Sequence, residues 1–354
     1  MQKYVLISAL FLFFHSIAFT ENAKAWRGGW ASYWKDTAEQ IKLAKKLGFN
    51  GLIFNLKKPE KIEEICDLAE KENIEIYAWY TIISNKENKE LSQVMSDAEN
   101  KRLEIIKSDK SPGRNRYQSG GEPFNKEGDV LLNELLCFHR PEVLALCKKQ
   151  LEEILQKYPR LAGIGFDYFG YRNYKCCNCP VSEKMFNEYY EKLHKDNKDI
   201  SREKALEKFS LDTLTAFVNE LAAYVRKIKP GCKTAIHIYP TFIPEPVYGN
   251  RLDVDYCMQT AAWYFEPFWG LDKVDRYTKI IVNDANRYFK RQSGIPFVGI
   301  YMRPGISKPP ERFREELKTI RKTGTQSFSI CPFNIFLEHP ELAKILLEEL
   351  GVPK

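Results

Sequence analysis

The sequence lacks most of the patterns that identify nucleotide-binding, zinc-dependent and membrane-spanning proteins. After an apolar run at its N-terminus, no stretch of the 354 residues is apolar for long enough to cross a bilayer. No Gly-x-Gly-x-x-Gly pattern follows the first predicted strand, and no phosphate loop is present. The five histidines form no His-x-His or His-Glu-x-x-His pair, so a metal-dependent hydrolase that uses His237 is only weakly supported. We therefore expect neither a cofactor nor a bound metal.

Neither sign of charge dominates strongly, with 54 basic and 47 acidic residues and a net charge of +7. The lysines are spread over helix-like segments such as residues 183–208, as on an ordinary solvated surface. No clustered arginines accompany a recognised nucleic-acid module, so nucleic acid is not an expected partner. Aromatic residues make up 13% of the chain, and those that line a cleft can stack on sugar rings.

The N-terminus has the pattern of a secretory signal peptide. Lys3 precedes an apolar run over residues 4–19, and Ala23-Lys24-Ala25 offers the small-x-small pattern that signal peptidase accepts. We expect residues 1–25 to be removed and the mature chain to begin near Trp26, in a secreted or periplasmic protein. The alternative is an uncleaved anchor, which is the only stable membrane association that the sequence suggests.

Nine cysteines would permit disulfides in an exported protein, but their number is odd and their spacing uneven. Cys176, Cys177 and Cys179 cluster in one predicted loop, where we expect a local disulfide that involves Cys137. Zinc is a weaker alternative because no second pair of cysteines has metal-knuckle spacing. The remaining cysteines lie on predicted helices or in or beside predicted strands and are expected to be buried as small apolar residues: Cys66, Cys147, Cys232, Cys257 and Cys331.

Strand-like and helix-like segments alternate along the chain from residue 26. Strands are predicted at residues 30–34, 49–56, 74–83, 161–167, 233–239, 255–265, 296–302 and 326–330. Helices are predicted at 36–47, 59–71, 91–107, 141–157, 182–228 with a break near Asp199, 271–291, 310–323 and 339–350. Eight such units predict a parallel (β/α)8 TIM barrel over residues 26–354, as a single domain with a long insertion after strand 3. A doubly wound open sheet is the alternative.

Asp167 is the most informative residue, because it ends a short apolar strand that is predicted to be buried on both faces. A carboxylate there is costly unless it is paired or used, and the alternative is a structural aspartate bonded to loop amides. In a barrel the active site lies at the C-terminal ends of the strands. The residues expected there as substrate contacts are Trp34, Asn55, Trp79, Tyr168, Arg172, His237, Tyr239, Tyr264, Tyr301 and Arg303.

Carboxylates, aromatics and amide or guanidinium donors at one barrel face suit glycoside hydrolysis, which needs two carboxyl groups across the scissile bond. Asp167 is expected to stay ionised beside Arg172 and to act as nucleophile or base. Glu266 lies among Phe265, Pro267, Phe268 and Trp269, and such apolar neighbours favour a protonated general acid. Glu245, between two prolines, is the rival acid.

Three segments resemble one family. They are residues 136–143, residues 163–172 and residues 176–179 with Phe186. The central one, Gly-Ile-Gly-Phe-Asp-Tyr followed by a cysteine-rich loop, is similar to that of glycoside-hydrolase-like proteins with TIM-barrel folds. The resemblance implies that Asp167 occupies the acidic position at the end of strand 4. Departures from the family pattern occur at Tyr174, Gly170, His139 and Arg140, which leave the bonding of the cysteine loop and the substrate preference open.

The favoured function is therefore an exported glycoside hydrolase acting on a poly- or oligosaccharide. A catalytically inactive carbohydrate-binding barrel is the alternative, and it is favoured if no second carboxylate lies near Asp167.

Overall fold

The computed structural model describes residues 25–31, 36–55, 62–108, 130–238, 246–266, 268–284, 288–303 and 307–351. Eight parallel strands form a closed barrel in sequence order, in which β1 also pairs with β8. The strands are β1 Arg27–Ala31, β2 Gly51–Asn55, β3 Glu75–Thr81, β4 Gly163–Asp167, β5 Lys233–Ile238, β6 Tyr256–Ala262, β7 Ser293–Gly299 and β8 Phe328–Cys331. The predicted TIM barrel is confirmed.

Helices follow the strands and cover the outside of the barrel. They are α1 Thr37–Lys46, α2 Ile62–Lys71, α3 Asp97–Ser108, α4 Pro141–Lys157, α5 Pro180–Asp196, α6 Arg202–Ile228, α7 Leu271–Asn283, α8 Pro310–Arg321, α9 Ile335–Glu338 and α10 Pro340–Leu350. Proline is at the first turn of four of them, where its missing N–H has no helical partner to lose. The predicted break near Asp199 separates α5 from α6.

The barrel interior depends on glycine in β4. A Cβ on Gly165 would lie 2.7 Å from the Ile53 side chain and 3.4 Å from the ring of Trp30. A Cβ on Gly163 would lie 2.3 Å from the backbone oxygen of Lys233. The missing side chain of Gly165 therefore leaves room for large residues of β1 and β2, and that of Gly163 leaves room for the Tyr77 ring of β3 and the backbone of β5.

The long insertion after β3 is confirmed, although residues 109–129 lie outside the described part. Its described portion contains α3, a 3-10 helix at Lys89–Leu91 and two antiparallel bridges, Ile83 with Leu135 and Ser92 with Leu136. The insertion thus returns to the barrel edge before α4 begins.

The N-terminal end of the barrel is closed by Trp26, which is 2% exposed and contacts Tyr77 and Tyr256 with ring centroids 5.1 and 4.5 Å apart. The predicted signal peptide falls almost wholly on residues 1–24, which are outside the described part of the chain. No helix among the described residues is long and apolar enough to span a bilayer.

Candidate active site

Asp167 is the last residue of β4, and its side chain is held at both oxygens at the C-terminal end of the barrel. Its Oδ2 accepts a hydrogen bond from the Trp79 indole at 3.0 Å. Its Oδ1 accepts one from the Tyr168 backbone N–H at 2.9 Å and one from His237 Nδ1 at 3.2 Å. A carboxylate offers about four lone-pair positions, of which these donors use three. Asp167 is only 1% exposed, so the protein fixes its orientation closely.

Tyr168 has a backbone conformation that a non-glycine residue seldom adopts. Its φ is 61°, in the left-handed region, and this turn directs its N–H back onto the preceding carboxylate. Such a conformation costs roughly 1–3 kcal/mol, which is typically retained where a site needs it. The strain falls at the point where β4 delivers Asp167, and it leaves the Tyr168 side chain half-exposed.

His237, on the neighbouring strand β5, is the side chain that contacts Asp167 Oδ1. A carboxylate can only accept, so Nδ1 of His237 is the donor in this pair. The imidazole stacks on Phe297 with centroids 3.8 Å apart and an interplanar angle of 16°. Its Nε2 lies 3.5 Å from Thr260 Oγ1. Stacking on Phe297 of β7 therefore fixes the plane of the ring, and the contacts with Asp167 of β4 and Thr260 of β6 fix its two nitrogen edges.

Trp30 lies beneath this pair. Its ring is 5.1 Å from that of Trp79 at an angle of 81°, and 5.8 Å from that of His237. Its indole N–H points to the Met258 sulfur at 3.2 Å, and Trp30 is 1% exposed. The floor of the site is therefore an aromatic surface that holds Trp79 and His237 in position to donate to Asp167.

An aromatic wall continues from this floor along the ends of β6 and β7. Tyr264 lies 5.8 Å from Phe297 and stacks on Phe265 at 5.6 Å, and Phe265 contacts Tyr301 at 5.0 Å. The Arg303 guanidinium lies over the Tyr301 ring at 5.1 Å. Aromatic faces next to a carboxylate suit the binding of sugar rings.

The thiol of Cys331, at the end of β8, also faces this region. Burial raises its pKa to about 12, a hydrogen bond with Tyr264 acts in the opposite direction, and the charge of Asp167 adds to the increase. Cys331 is thus a protonated thiol near neutral pH and lacks the thiolate character of a nucleophile.

Arg172 does not have the role that the sequence suggested. Its guanidinium donates to the backbone oxygens of Leu131 and Leu132, at 3.1 and 3.2 Å, and its backbone N–H donates to Gln93. Burial lowers the pKa of Arg172, and the charge of Glu134 acts in the opposite direction. No described contact joins it to Asp167, and His237 takes that place. Arg172 instead fastens the returning end of the insertion to the loop after β4.

The other predicted residues divide into those placed near the mouth and those outside the described chain. Asn55 ends β2 in register with Trp79, beside the site. Glu266 follows β6 but is exposed, so the apolar enclosure that its sequence neighbours suggested does not form. Trp34, Tyr239 and Glu245 lie outside the described residues.

Sequence reasoning missed four residues that surround the pair formed by Asp167 and His237. None of them was considered as a site residue, and Cys331 was expected only to be buried as a small apolar residue. The four are Trp30, Thr260, Phe297 and Cys331. The available signal was alternation, because every second residue of a barrel strand faces inward. Thr260 and Phe297 are among these inward-facing residues. Their closeness to His237 follows from the register of β5, β6 and β7, which the sequence pattern does not give.

The expected disulfide is not formed. All nine cysteines are free, and the Sγ atoms of Cys137 and Cys179 are 3.7 Å apart, well beyond a bond of about 2.05 Å. Cys137, Cys177 and Cys179 instead form a buried cluster of thiols.

No family model matches the chain, and no curated protein matches it. The fold is similar to those of solved glycoside hydrolases. The glycoside hydrolase domain of PgaB (BpsB) from Bordetella bronchiseptica matches with a TM-score of 0.59 at 12% identity, over 93% of this chain and 99% of that chain.

Two β-galactosidases also match. Gan42B, a GH42 β-galactosidase from G. stearothermophilus solved as a catalytic mutant, has a TM-score of 0.52 at 12% identity over 94% of this chain and 58% of its own. The enzyme from Bacillus circulans sp. alkalophilus has a TM-score of 0.52 at 15% identity, over 92% and 55%. This chain thus spans little more than half of those two. At such identities the likeness establishes the shared barrel fold.

Proposed function

We propose that this chain is an exported glycoside hydrolase that acts on a poly- or oligosaccharide, with Asp167 as its central catalytic carboxylate. The observation that carries the proposal is the environment of Asp167 at the C-terminal end of β4. Three donors hold its oxygens, and aromatic side chains form the floor and one wall around it. Enzymes with this fold have their active sites at this end of the barrel.

In this proposal Asp167 attacks the anomeric carbon or activates a water molecule. The Trp79 and His237 donors keep the carboxylate in one orientation, so little reorganisation is needed when charge develops on the sugar. Tyr301 is the proposed stacking surface for a sugar ring, and Tyr264, which is 7% exposed, supports the wall behind it. Arg303 and Asn55 are proposed hydrogen-bond donors at the rim.

The general acid is proposed to be Glu266 or Glu245. Glu266 follows β6, two strands from Asp167 around the barrel, and its exposure leaves it free to meet a substrate that enters from solvent. A bound sugar would supply the apolar enclosure that the free protein lacks at Glu266.

A carbohydrate-binding barrel without catalysis is the second candidate. It is favoured by the burial of Asp167, which is 1% exposed and bonded to a loop amide like a structural aspartate. In that case the aromatic wall binds sugar, and the carboxylate only fixes the floor.

A glycan panel distinguishes the two candidates, because only a hydrolase turns a glycan over, and Asp167→Asn then tests the role of Asp167 on the substrate found. The variant keeps the shape of the side chain and removes its charge, so turnover should fall on the order of 10²-fold or more. Asp255→Asn is the matched control, because Asp255 accepts bonds from Thr234 N and Oγ1 at 2.7 and 3.0 Å at the opposite end of the barrel. The control should retain turnover. Wild-type turnover by Asp167→Asn would refute the catalytic role.

Glu266→Gln identifies the acid. If Glu266 protonates the leaving oxygen, this variant should lose activity on ordinary glycosides and much less on dinitrophenyl glycosides, whose leaving group needs little protonation. Equal losses on both substrates would exclude Glu266 from that role and direct attention to Glu245.

A further inference from the structure

Three cysteine side chains from two separate segments meet at a buried point. Cys137 precedes α4, whereas Cys177 and Cys179 precede α5. Their sulfur atoms all lie within 4.8 Å of one another, and the residues are 1%, 4% and 0% exposed. They form a cluster separate from the main apolar core.

The sulfur spacing matches a metal site better than a disulfide. A Zn–S bond of about 2.3 Å in a tetrahedral site implies sulfur atoms about 3.8 Å apart. The Sγ atoms of Cys137 and Cys179 are 3.7 Å apart. A disulfide would require these atoms to approach to about 2.05 Å, and Cys177 would remain as an unpaired third thiol.

Backbone donors are directed at two of the sulfurs. The N–H of Val94 points to Cys177 Sγ at 3.3 Å, and that of Ser182 points to Cys179 Sγ at 3.4 Å. A backbone N–H in the interior needs an acceptor, and a neutral thiol is a weak one. Metal-bound thiolates are strong acceptors, so these contacts are the outer interactions that a metal site requires.

Ser182 places an oxygen at the fourth corner. Its Oγ is 3.6 Å from Cys137 Sγ and 3.2 Å from Cys179 Sγ. A tetrahedral centre with Zn–S of about 2.3 Å and Zn–O of about 2.0 Å implies an S–O separation of about 3.5 Å. The hydroxyl oxygen therefore lies at the distances from two of the sulfurs that a fourth ligand would have.

The hydrogen bonds of His139 show where the hydroxyl proton points. Its Nε2 lies 3.0 Å from the Tyr171 hydroxyl and 3.2 Å from the Thr213 hydroxyl. We assign the two hydroxyls as donors to the backbone oxygens of Ser210 and Phe209 and as acceptors from Nε2–H. In the neutral ring Nδ1 is then an acceptor, and Ser182 Oγ–H donates to it at 2.6 Å. The lone pairs of Ser182 are left facing the sulfurs.

We propose that Cys137, Cys177, Cys179 and Ser182 bind one Zn²⁺ ion, with His139 as the hydrogen-bond acceptor that orients the serine oxygen. Three soft thiolates favour zinc over magnesium or calcium, and a closed, buried set of four ligands is the arrangement of a structural site. On binding, each thiol loses its proton to solvent, while Ser182 keeps its proton on the bond to His139.

The ion would fasten the end of the insertion to the loop that follows Asp167. Cys137 N–H also bonds to Leu91 O, and Asn178 N–H bonds to Val94 O, so both sides of the cluster are tied to the insertion. Zinc would thus stabilise the segment that begins with the strained Tyr168. It takes no part in the proposed sugar chemistry.

The test is the zinc content of the full chain after exposure to micromolar ZnCl₂ and gel filtration, measured by elemental analysis. We expect one zinc per chain, and three thiols that react with Ellman's reagent only after chelation. Absence of zinc, or a disulfide between Cys137 and Cys179 in non-reducing peptide mapping, would overturn the proposal.

Variants test the ligand assignment. Cys179→Ser should lose the zinc, whereas the matched control Cys232→Ser, at a buried cysteine before β5, should retain it. Ser182→Ala and His139→Phe should each weaken zinc affinity about 10–100-fold in competition with a chromogenic chelator, and Ser182→Cys should strengthen it. Wild-type affinity in Ser182→Ala would exclude the serine ligand, and zinc retained by Cys179→Ser would refute the site. The wild-type zinc content decides the matter even if Cys179→Ser does not fold.

Discussion

At the scale of single residues, Asp167 shows what a pattern of residue types can and cannot predict. Its position was predictable because a carboxylate directly after an apolar run has few structural uses. Trp79, Tyr168 and His237 were found as polar or aromatic residues near predicted strand ends, and the structure places all three on Asp167. Arg172 was misassigned, because closeness along the chain does not fix the direction of a side chain beyond the strand.

His237 tests whether orientation of Asp167 matters for turnover. An asparagine amide nitrogen lies about where Nδ1 of histidine does, whereas a glutamine amide nitrogen lies nearer to Nε2. Since Nδ1 is the atom that donates to Asp167, His237→Asn should keep the contact and lose on the order of 10-fold in kcat. His237→Gln should lose on the order of 100-fold.

The comparison needs kcat and KM measured separately on the substrate used for Asp167→Asn. An orienting role predicts that the loss falls on kcat in His237→Gln, with partial recovery in His237→Asn. Equal activities of the two variants would show that the imidazole acts through its stacking on Phe297 and not through Nδ1.

Gly165 provides a test of the packing beneath the site. In Gly165→Ala the new methyl group would lie 2.7 Å from Ile53, so we expect unfolding to become easier by about 1–3 kcal/mol in urea titrations. Ile53→Ala removes the opposing atoms. The double variant should therefore cost less than the sum of the two single changes, and strict additivity would contradict this account.

At the scale of elements, helices were easier to predict than the first strand. The periodic pattern gave α4 as residues 141–157, as observed. Strand β1 begins at Arg27, three residues before its predicted start, because Gly28 and Gly29 weaken the strand signal. The barrel requires both, since added Cβ atoms would lie 2.3 Å from Trp26 and 2.7 Å from Phe333.

The connection between β7 and α8 depends on a buried ion pair. Lys308 is fully buried, and its Nζ donates to Gly299 O and to Glu316 Oε2, both at 2.6 Å. Burial lowers the pKa of Lys308, and Glu316 opposes that effect. Lys308→Met leaves the buried Glu316 with Arg312 as its cationic partner at 3.0 Å. We expect a loss of about 3 kcal/mol in the free energy of unfolding.

The paired variant Lys308→Met with Glu316→Gln separates the cost of an unpaired charge from the value of the pair. Removal of both charges should restore part of the stability in urea titrations at pH 7. A double variant less stable than Lys308→Met alone would show that the ion pair of Glu316 with Arg312 outweighs the cost of burying the Glu316 charge without Lys308.

At the scale of the whole molecule, the eightfold alternation was sufficient to predict the closed barrel. Counting strand-helix units predicts the architecture because parallel strands need crossover helices, and eight such units close into a barrel. It could not predict which side chains meet across the mouth, since that depends on strand register. The thiol cluster shows the same limit. Cys137 and Cys179 are separated by 42 residues, and their spacing became interpretable only after β4 and α4 were in place.

The boundary of the folded barrel gives the last prediction. Trp26 is 2% exposed, its backbone N–H donates to Ser327 Oγ at 3.1 Å, and its ring fills the space above Gly28 and Gly51. Removal of residues 1–25, as the proposed signal cleavage requires, loses only the bond from Asn50 to Ala25 O among the described contacts. A chain that starts at Trp26 should therefore melt within a few degrees of one that starts at Ala25.

Trp26→Ala should lower the free energy of unfolding by about 3–5 kcal/mol, because it opens a cavity at the end of the barrel. N-terminal sequencing of protein from the native host should begin near Trp26. Recovery of the exported protein with a start several residues beyond Trp26, at full stability, would contradict both the cleavage site and the role of this tryptophan in closing the barrel.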